Sequence, residues 1–272
     1  MPNESDPIVI MDSGVGGLPY LETARKLLDK ESFVYLADRA GFPYGTKSGD
    51  EVRRIVLDRV ARLVERFSPK AVVIACNTAS QAALSAVRAA HPALAFIGTV
   101  PAIKPAAART KTGVIGVIAT AQTVRDPYLD SLVARFAPGA IVIREPAQEL
   151  VAFVERRLFD AAIEERRAAV AGHIRRLVDA GADQIVIACT HFLYLRDDIA
   201  AIAGAGVDIV DSRGGIAHRL SVVLAERALL RTAAAPDRRG LFLLSGDEPA
   251  EAPYHRFAGE FDLRGPELLT LS

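Results

Sequence analysis

The chain contains two cysteines, Cys76 and Cys189, and their surroundings match. Val72-Val73-Ile74-Ala75 runs into Cys76-Asn77-Thr78, and Ile185-Val186-Ile187-Ala188 runs into Cys189-Thr190-His191, 113 positions on (189 minus 76). A lone pair of cysteines is ordinarily two small buried hydrophobes. Here each ends a β-branched run and opens a turn or helix, so backbone N–H groups are expected to point at the sulfur. Such surroundings, and positive neighbours, lower a thiol's pKa from about 8.5. A thiol that exchanges its proton near neutral pH is a general acid or base. One such group tends to return a proton to the face it left. Two on opposite faces of a carbon acid, one protonated and one not, would invert it instead. His191, two residues after Cys189, is placed to hold a proton for that thiol, and Asp12 to orient a base or bind an ammonium group.

The elements that must position these residues alternate along the chain. Ile8-Met11, Phe33-Leu36, Ala71-Ala75 and Phe96-Val100 are expected to be buried parallel strands. Gly17-Lys30, Lys47-Phe67 and Ser80-Ala90 between them have helical apolar spacing. The pattern then restarts. Gly113-Ala119, Ala140-Ile143, Gln184-Ala188 and Val207-Val210 are expected strands, with helices at Gln148-Leu158 and Ile163-Ala180. This alternation predicts a doubly wound α/β architecture in two similar domains. Ligands of open α/β sheets bind beyond the carboxyl ends of the strands, where both cysteines fall. Later, Ala233-Asp237 is expected to be a loop and Gly240-Ser245 one more strand; no function is assigned from Glu248 onward.

Two turns border these strand ends. Asp12-Ser13-Gly14-Val15-Gly16-Gly17-Leu18 is a strand–glycine turn–helix junction. It lacks the glycine spacing of a dinucleotide site, and Asp38 only partly meets the acidic position such a site needs. Small residues with free N–H groups there suit a carboxylate better than a pyrophosphate. Phe42-Pro43-Tyr44-Gly45 is a further turn, which would offer N–H groups and a phenol to a second carboxylate.

Composition excludes several classes. With 33 basic and 33 acidic residues the net charge is zero, which gives no global attraction to nucleic acid or an anionic membrane. No uninterrupted apolar run approaches the roughly 20 residues of a membrane span, and Met1-Asp6 is too short and polar for a signal peptide. A cytoplasmic protein with reduced thiols is the expectation.

Taken in order, Asp12-Ser13-Gly14-Val15-Gly16-Gly17-Leu18, Pro43-Tyr44-Gly45, Ala75-Cys76-Asn77-Thr78-Ala79, Gly116-Val117-Ile118-Ala119-Thr120, Cys189-Thr190-His191 and Asp211-Ser212 resemble the glutamate racemases of the cofactor-independent aspartate/glutamate racemase superfamily. The resemblance runs over nearly the whole chain. It implies two flavodoxin-like domains related by pseudo-twofold symmetry, residues 1–98 with 210–272 and residues 99–209, with the active site in the cleft between them. It also implies interconversion of L- and D-glutamate without metal or pyridoxal phosphate, supplying D-glutamate for peptidoglycan. Cys76 then acts on the D enantiomer and Cys189 on the L, assisted by Asp12 and His191, with Glu155 as a supporting carboxylate. Asp12, Ser13, Pro43, Tyr44, Gly45, Asn77, Thr78, Thr190 and His191 match the substrate-binding positions. The small-molecule substrate is the implied partner, and a homodimer would fit the family.

One departure is Leu193, which follows Phe192 where the family commonly has proline. Competing readings fare worse. Both cysteines are present, against a single-cysteine decarboxylase or a non-catalytic binding protein on the same scaffold. The Asp12 and Tyr44 segments favour glutamate over aspartate or a hydantoin. None of the lysines ends a strand beside a phosphate-type loop, as a pyridoxal-phosphate enzyme would need. A zinc hydrolase using Cys76, Cys189, His191 and Asp12 lacks the close cysteine pairs usual in structural zinc sites.

Overall fold

The computed structural model describes residues 2–235, 237 and 239–271. The chain divides into two compact units, Met1–Thr99 with Arg213–Ser272, and Val100–Ser212.

In the first unit the elements run β1 (Ile8–Asp12), α1 (Leu18–Leu27), β2 (Phe33–Ala37), α2 (Gly49–Phe67), β3 (Ala71–Ile74), α3 (Asn77–Ala90) and β4 (Ala95–Gly98). The second unit holds α4 (Ile103–Arg109), β5 (Val114–Ala119), α5 (Ala121–Arg125), α6 (Pro127–Phe136), β6 (Ile141–Pro146) and α7 (Glu149–Arg157). It continues with α8 (Ile163–Asp179), β7 (Gln184–Ile187), α9 (Arg196–Ala203) and β8 (Asp208–Val210). The chain then returns to the first unit with α10 (Arg213–Glu226), β9 (Leu241–Ser245), α11 (Ala252–Glu260) and β10 (Arg264–Leu269).

Both sheets are wholly parallel. The first has the order β10-β9-β2-β1-β3-β4 and the second β6-β5-β7-β8. The common core is therefore one pattern: a first strand flanked by the second on one side and the third on the other. The chain runs from the first strand to the second in one direction and from the second back past the first to the third in the other, so right-handed crossovers put helices on both faces. In the first unit α2 packs on α3 and α1 on α10. Alternate strand residues Val9, Met11, Val34, Leu36, Val72 and Ile74 join Val52, Val56, Val60, Ala79, Ala83 and Val87 in one buried cluster. Each large aliphatic side chain buried there contributes about 1.5–3 kcal/mol, and that layer fixes where the strands end.

Local signals set the helix limits. Ser48 caps α2, its Oγ accepting from Glu51 N–H at 3.3 Å, with Asp50 and Glu51 in the first turn. Cys76 itself occupies the cap position of α3, so that helix begins at Asn77, three residues before the expected start at Ser80. The tail, which carried no assignment, forms α11 and an edge strand, β10, paired parallel to β9. Its strand sequence Arg-Gly-Pro-Glu-Leu-Leu reads as a turn because Gly and Pro are depleted in strands. They are tolerated at an edge, where the register shifts between Arg264 and Glu267. Of the expected loop Ala233–Asp237, Pro236 lies outside the described residues. Among those residues no helix is long and apolar enough to cross a membrane.

Candidate active site

The candidate residues gather at the carboxyl ends of the central strands of each sheet, at the point where chain direction switches. In the first unit that point lies between β1 and β3. Met11 pairs with Ile74, and Ala75 N–H donates to Met11 O at 2.7 Å. Asp12, fully buried, ends β1 and Cys76 follows Ala75, so the carboxylate and the thiol leave neighbouring strands at the same level. Asp12 Oδ1 accepts from Ser13 N–H at 2.7 Å. Gly17 closes the turn: a Cβ there would lie 2.8 Å from Ala75 Cβ and 3.2 Å from Asp12 Cβ. Cys76 is 6% exposed, with extended backbone and its carbonyl accepting from Ser80 N–H at 2.9 Å. As the cap of a 14-residue helix it stands where N–H groups of the first turn have no helical partner. Asn77 and Thr78 begin that helix and are buried; Asn77 Oδ1 has no hydrogen-bond partner among the described residues.

The loop after β2 supplies the other expected binding residues. A cis peptide joins Phe42 to Pro43, and Tyr44–Thr46 form one 3₁₀ turn. Tyr44 is buried in the same cluster as Cys76. Its phenol was expected to reach a substrate carboxylate; instead it donates to Asp38 Oδ2 at 2.5 Å. Burial first, then the Asp38 charge and this bond, push the phenol well above its ordinary pKa, so Tyr44 stays a donor. Asp38 also accepts from Arg59 Nε–H at 2.7 Å and from the Ser245 hydroxyl. Arg59 is held above its ordinary range: burial opposes its charge, but Asp38 and Asp58 outweigh that. Sequence reasoning missed Arg59 and Ser245. Only long-range folding, of α2 and of the returning β9, brings them to Asp38. Arg39, next in the loop, reaches the tail through the carbonyls of Glu248 (2.6 Å) and Pro249 (2.8 Å).

In the second unit the switch point lies between β5 and β7. Ile118 pairs with Ile187, and Ala188 N–H donates to Ile118 O at 2.9 Å, the same bond as in the first unit. By this register Ala119 stands where Asp12 stands, Thr120 where Ser13 stands, and His191 where Thr78 stands. Cys189 is 5% exposed and caps the 3₁₀ segment Thr190–Leu195, which includes Leu193. Thr190 and His191 are buried. His191 Nε2 lies 2.8 Å from Glu155 Oε1. Glu155 belongs to α7 and, unlike most helical glutamates, is buried. A carboxylate beside Nε2 favours the tautomer with the proton on that nitrogen.

Comparison with known proteins decides the family. The model of the Asp/Glu/hydantoin racemases matches residues 20–214. The chain belongs to this family. It is an isomerase. The racemase is 48% identical over 222 residues to the glutamate racemase of Sphingopyxis alaskensis, covering 81% of this chain and 82% of that one. It is 43% identical to that of Roseiflexus sp., covering 83% and 82%. Among solved structures, Escherichia coli glutamate racemase in complex with L-glutamate and the activator UDP-MurNAc-Ala superposes with a TM-score of 0.83 at 30% identity, covering 97% of each chain. The Francisella tularensis enzyme in complex with D-glutamate gives 0.80 at 25%, covering 99% of this chain and 98% of that one. Among the described residues of the racemase, no group of three or more His, Cys, Asp or Glu side chains is placed to hold a metal ion.

Proposed function

We propose that this protein interconverts L- and D-glutamate by two-base proton transfer at Cα, with Cys76 serving the D enantiomer and Cys189 the L. One observation supports the reading above all: each unit ends its third strand in a buried cysteine that caps a helical segment. Two independent copies of one arrangement are what two exchangeable proton carriers require.

Starting from D-glutamate, the Cys76 thiolate takes the Cα proton and its sulfur becomes a thiol. The electron pair left on Cα delocalises into the α-carboxylate. The Cys189 thiol then delivers its proton to the opposite face and becomes the thiolate. The reverse reaction exchanges the roles, so atoms and charge balance without an added acceptor. Cys76 stands at the start of α3, where N–H groups without helical partners suit a negative charge. Asp12 and His191 assist the two thiols, and Glu155 holds His191 in one tautomer. Ser13, Pro43, Tyr44, Gly45, Asn77, Thr78 and Thr190 form the binding surface. Asn77 Oδ1, a buried acceptor lacking a partner, suits the substrate ammonium, and the Tyr44 loop contributes main chain because its phenol is engaged by Asp38. The product serves as the D-glutamate supply for peptidoglycan, within the cytoplasm.

The test is circular dichroism of each enantiomer with chelator-treated, cofactor-free protein. Both solutions should lose their signal at the same final composition. Cys76→Ser and Cys189→Ser should each slow this by about 10²–10⁴-fold, the range of general acid–base catalysis, with unchanged far-ultraviolet spectra. Full turnover by either variant would refute the two-base mechanism.

A further inference from the structure

The mechanism leaves Arg59 unused, although it is a buried cation whose side chain enters the first unit's junction. Among the described residues that unit buries five charged side chains: Asp12, Glu31, Asp38, Arg59 and Lys70. Glu31 and Lys70 pair with each other at 2.5 Å, and Lys70 immediately precedes β3, at the amino end of the sheet. At the carboxyl ends this leaves two buried carboxylates, Asp12 and Asp38, against one buried cation, whose other carboxylate partner, Asp58, is partly exposed and screened by water. The carboxylates are neighbours, because Asp38 N–H donates to Asp12 O at 2.9 Å across the ends of β2 and β1. A Cys76 thiolate adds a third negative charge to the same junction.

We propose that Arg59 is a positioning residue for the Cys76 thiolate, neutralising Asp38 so that the junction tolerates the sulfur's charge. The geometry is direct. Arg59 Nε–H reaches Asp38 Oδ1 at 2.7 Å, the Tyr44 phenol reaches Oδ2 at 2.5 Å, and Tyr44 packs in one buried cluster with Cys76. Tyr44 therefore stands between the ion pair and the thiol's surroundings. Other cations nearby are committed elsewhere: Arg39 to the tail, and Lys47 to Glu51 at 3.6 Å. Around Cys76 in its own unit, β1 ends in Asp12, the loop after β2 brings Tyr44 with Asp38 and Arg59 behind it, and the first turn of α3 carries no charge. Without Arg59, the donors left to the buried Asp38 carboxylate are the Tyr44 and Ser245 hydroxyls. Its field then falls on the cluster that Tyr44 shares with Cys76. Low-dielectric surroundings make that coupling felt over several ångströms.

This rests on the reading of Cys76 as a proton carrier only in giving the thiolate a purpose. The test does not require turnover. Iodoacetamide alkylation of the native protein, followed across pH by mass spectrometry of the two cysteine peptides, reads the thiolate fraction of each sulfur separately. In Arg59→Met the midpoint for Cys76 should rise by about one pH unit, the scale of a lost charge–charge interaction. That for Cys189, in the other unit, should stay where it is. Asp38→Asn should move Cys76 the opposite way. The double variant Arg59→Met/Asp38→Asn should return it close to the starting value, and Arg59→Lys should hold it there. Opposite signs for the two single variants separate charge balance from general loosening, which would move both alike. If Arg59→Met fails to fold, Asp38→Asn and the double variant decide the matter. A Cys76 midpoint unmoved in Asp38→Asn, or shifted upward in it, would overturn the proposal.

Discussion

The two strand–cysteine junctions share a backbone and differ in what supports it. In both, the residue before the cysteine donates its N–H to the penultimate residue of the first strand, at 2.7 and 2.9 Å. In the first unit the neighbouring strand ends in Asp12, and the position two after the cysteine is Thr78. In the second unit the neighbouring strand ends in Ala119, and the position two after the cysteine is His191. The carboxylate of one junction thus comes from the strand beside the cysteine, and the imidazole of the other from the cysteine's own turn. The charge behind them differs as well. Asp38 and Arg59 form a buried ion pair behind the first junction, whereas Glu155 reaches His191 from a helix behind the second. On the proposed reading, the same fold element holds two thiols with different helpers, a carboxylate for one and an imidazole for the other.

The sharpest way to break this comparison is to remove each helper. Asp12→Asn and His191→Asn should each lower kcat by at least about tenfold, within the range for assisted proton transfer. L- and D-glutamate are equally stable, so kcat/KM must fall equally from both directions in either variant. Substrates deuterated at Cα separate the two. If Asp12 serves Cys76, Asp12→Asn makes abstraction from the D enantiomer more rate-limiting, and the isotope effect rises from that side. His191→Asn should raise it from the L side, and Glu155→Gln should do the same more weakly, since a glutamine oxygen still accepts from Nε2–H. An identical pattern in Asp12→Asn and His191→Asn would mean that the helpers are not assigned one to each thiol.

Much of this was legible in the chain. Alternation of β-branched runs with amphipathic stretches reveals a parallel sheet because strands covered on both faces must be apolar throughout, as Ile8-Val9-Ile10-Met11 is. The sulfurs, Asp12 and His191 were visible because they adjoin those runs in sequence. Glu155 came from the family resemblance, and its burial against His191 became visible only in the fold. Arg59, Ser245 and the tail were hidden for a definite reason. Arg59 lies in a helix whose other charges face water, and Ser245 lies 207 positions from Asp38. The Gly265-Pro266 pair disguises an edge strand as a turn. The bond from the Tyr44 phenol to Asp38, six residues back, also became visible only in the fold.

Steric tolerance offers a second contrast. A Cβ on Gly17 would meet Ala75 Cβ at 2.8 Å and Tyr35 Oη at 2.9 Å, atoms fixed by β3 and by the bond from Tyr35 to Gly14 O. On Gly116 in β5 it would meet the ends of Leu177 at 2.9 and 3.1 Å, which can turn aside in part. Gly17→Ala should therefore cost about 1–3 kcal/mol of stability, read from urea midpoints, and should also slow racemisation by displacing Asp12 from Cys76. Gly116→Ala should cost about 1 kcal/mol and leave kcat close to the parent value. Equal losses of activity in the two would show that the close approach at Gly17 does not set the position of Asp12.

The smallest effect separates buried from partly exposed charge. Glu145 at the end of β6 receives Arg176 at 2.6 and 3.0 Å and lies 2.6 Å from His173 Nδ1; Glu149 lies 2.5 Å from the other ring nitrogen. These groups tie the start of α7, the helix that carries Glu155, to α8. The Arg176 bond, then His173, outweigh burial and hold the Glu145 carboxyl below its ordinary 4.5. A lowered carboxyl pKa contributes stability that is fully present above the unfolded value and is lost as pH falls through the folded one. Arg176 is more than half exposed, so solvent screens the pair and its contribution is small. Thermal melts of the parent and of Glu145→Gln should therefore differ at pH 7 and converge as the pH drops below 4.5, with racemisation at pH 7 little changed. A difference that persists undiminished at the acid end would mean that packing of the side chain, and not its charge, ties α7 to α8.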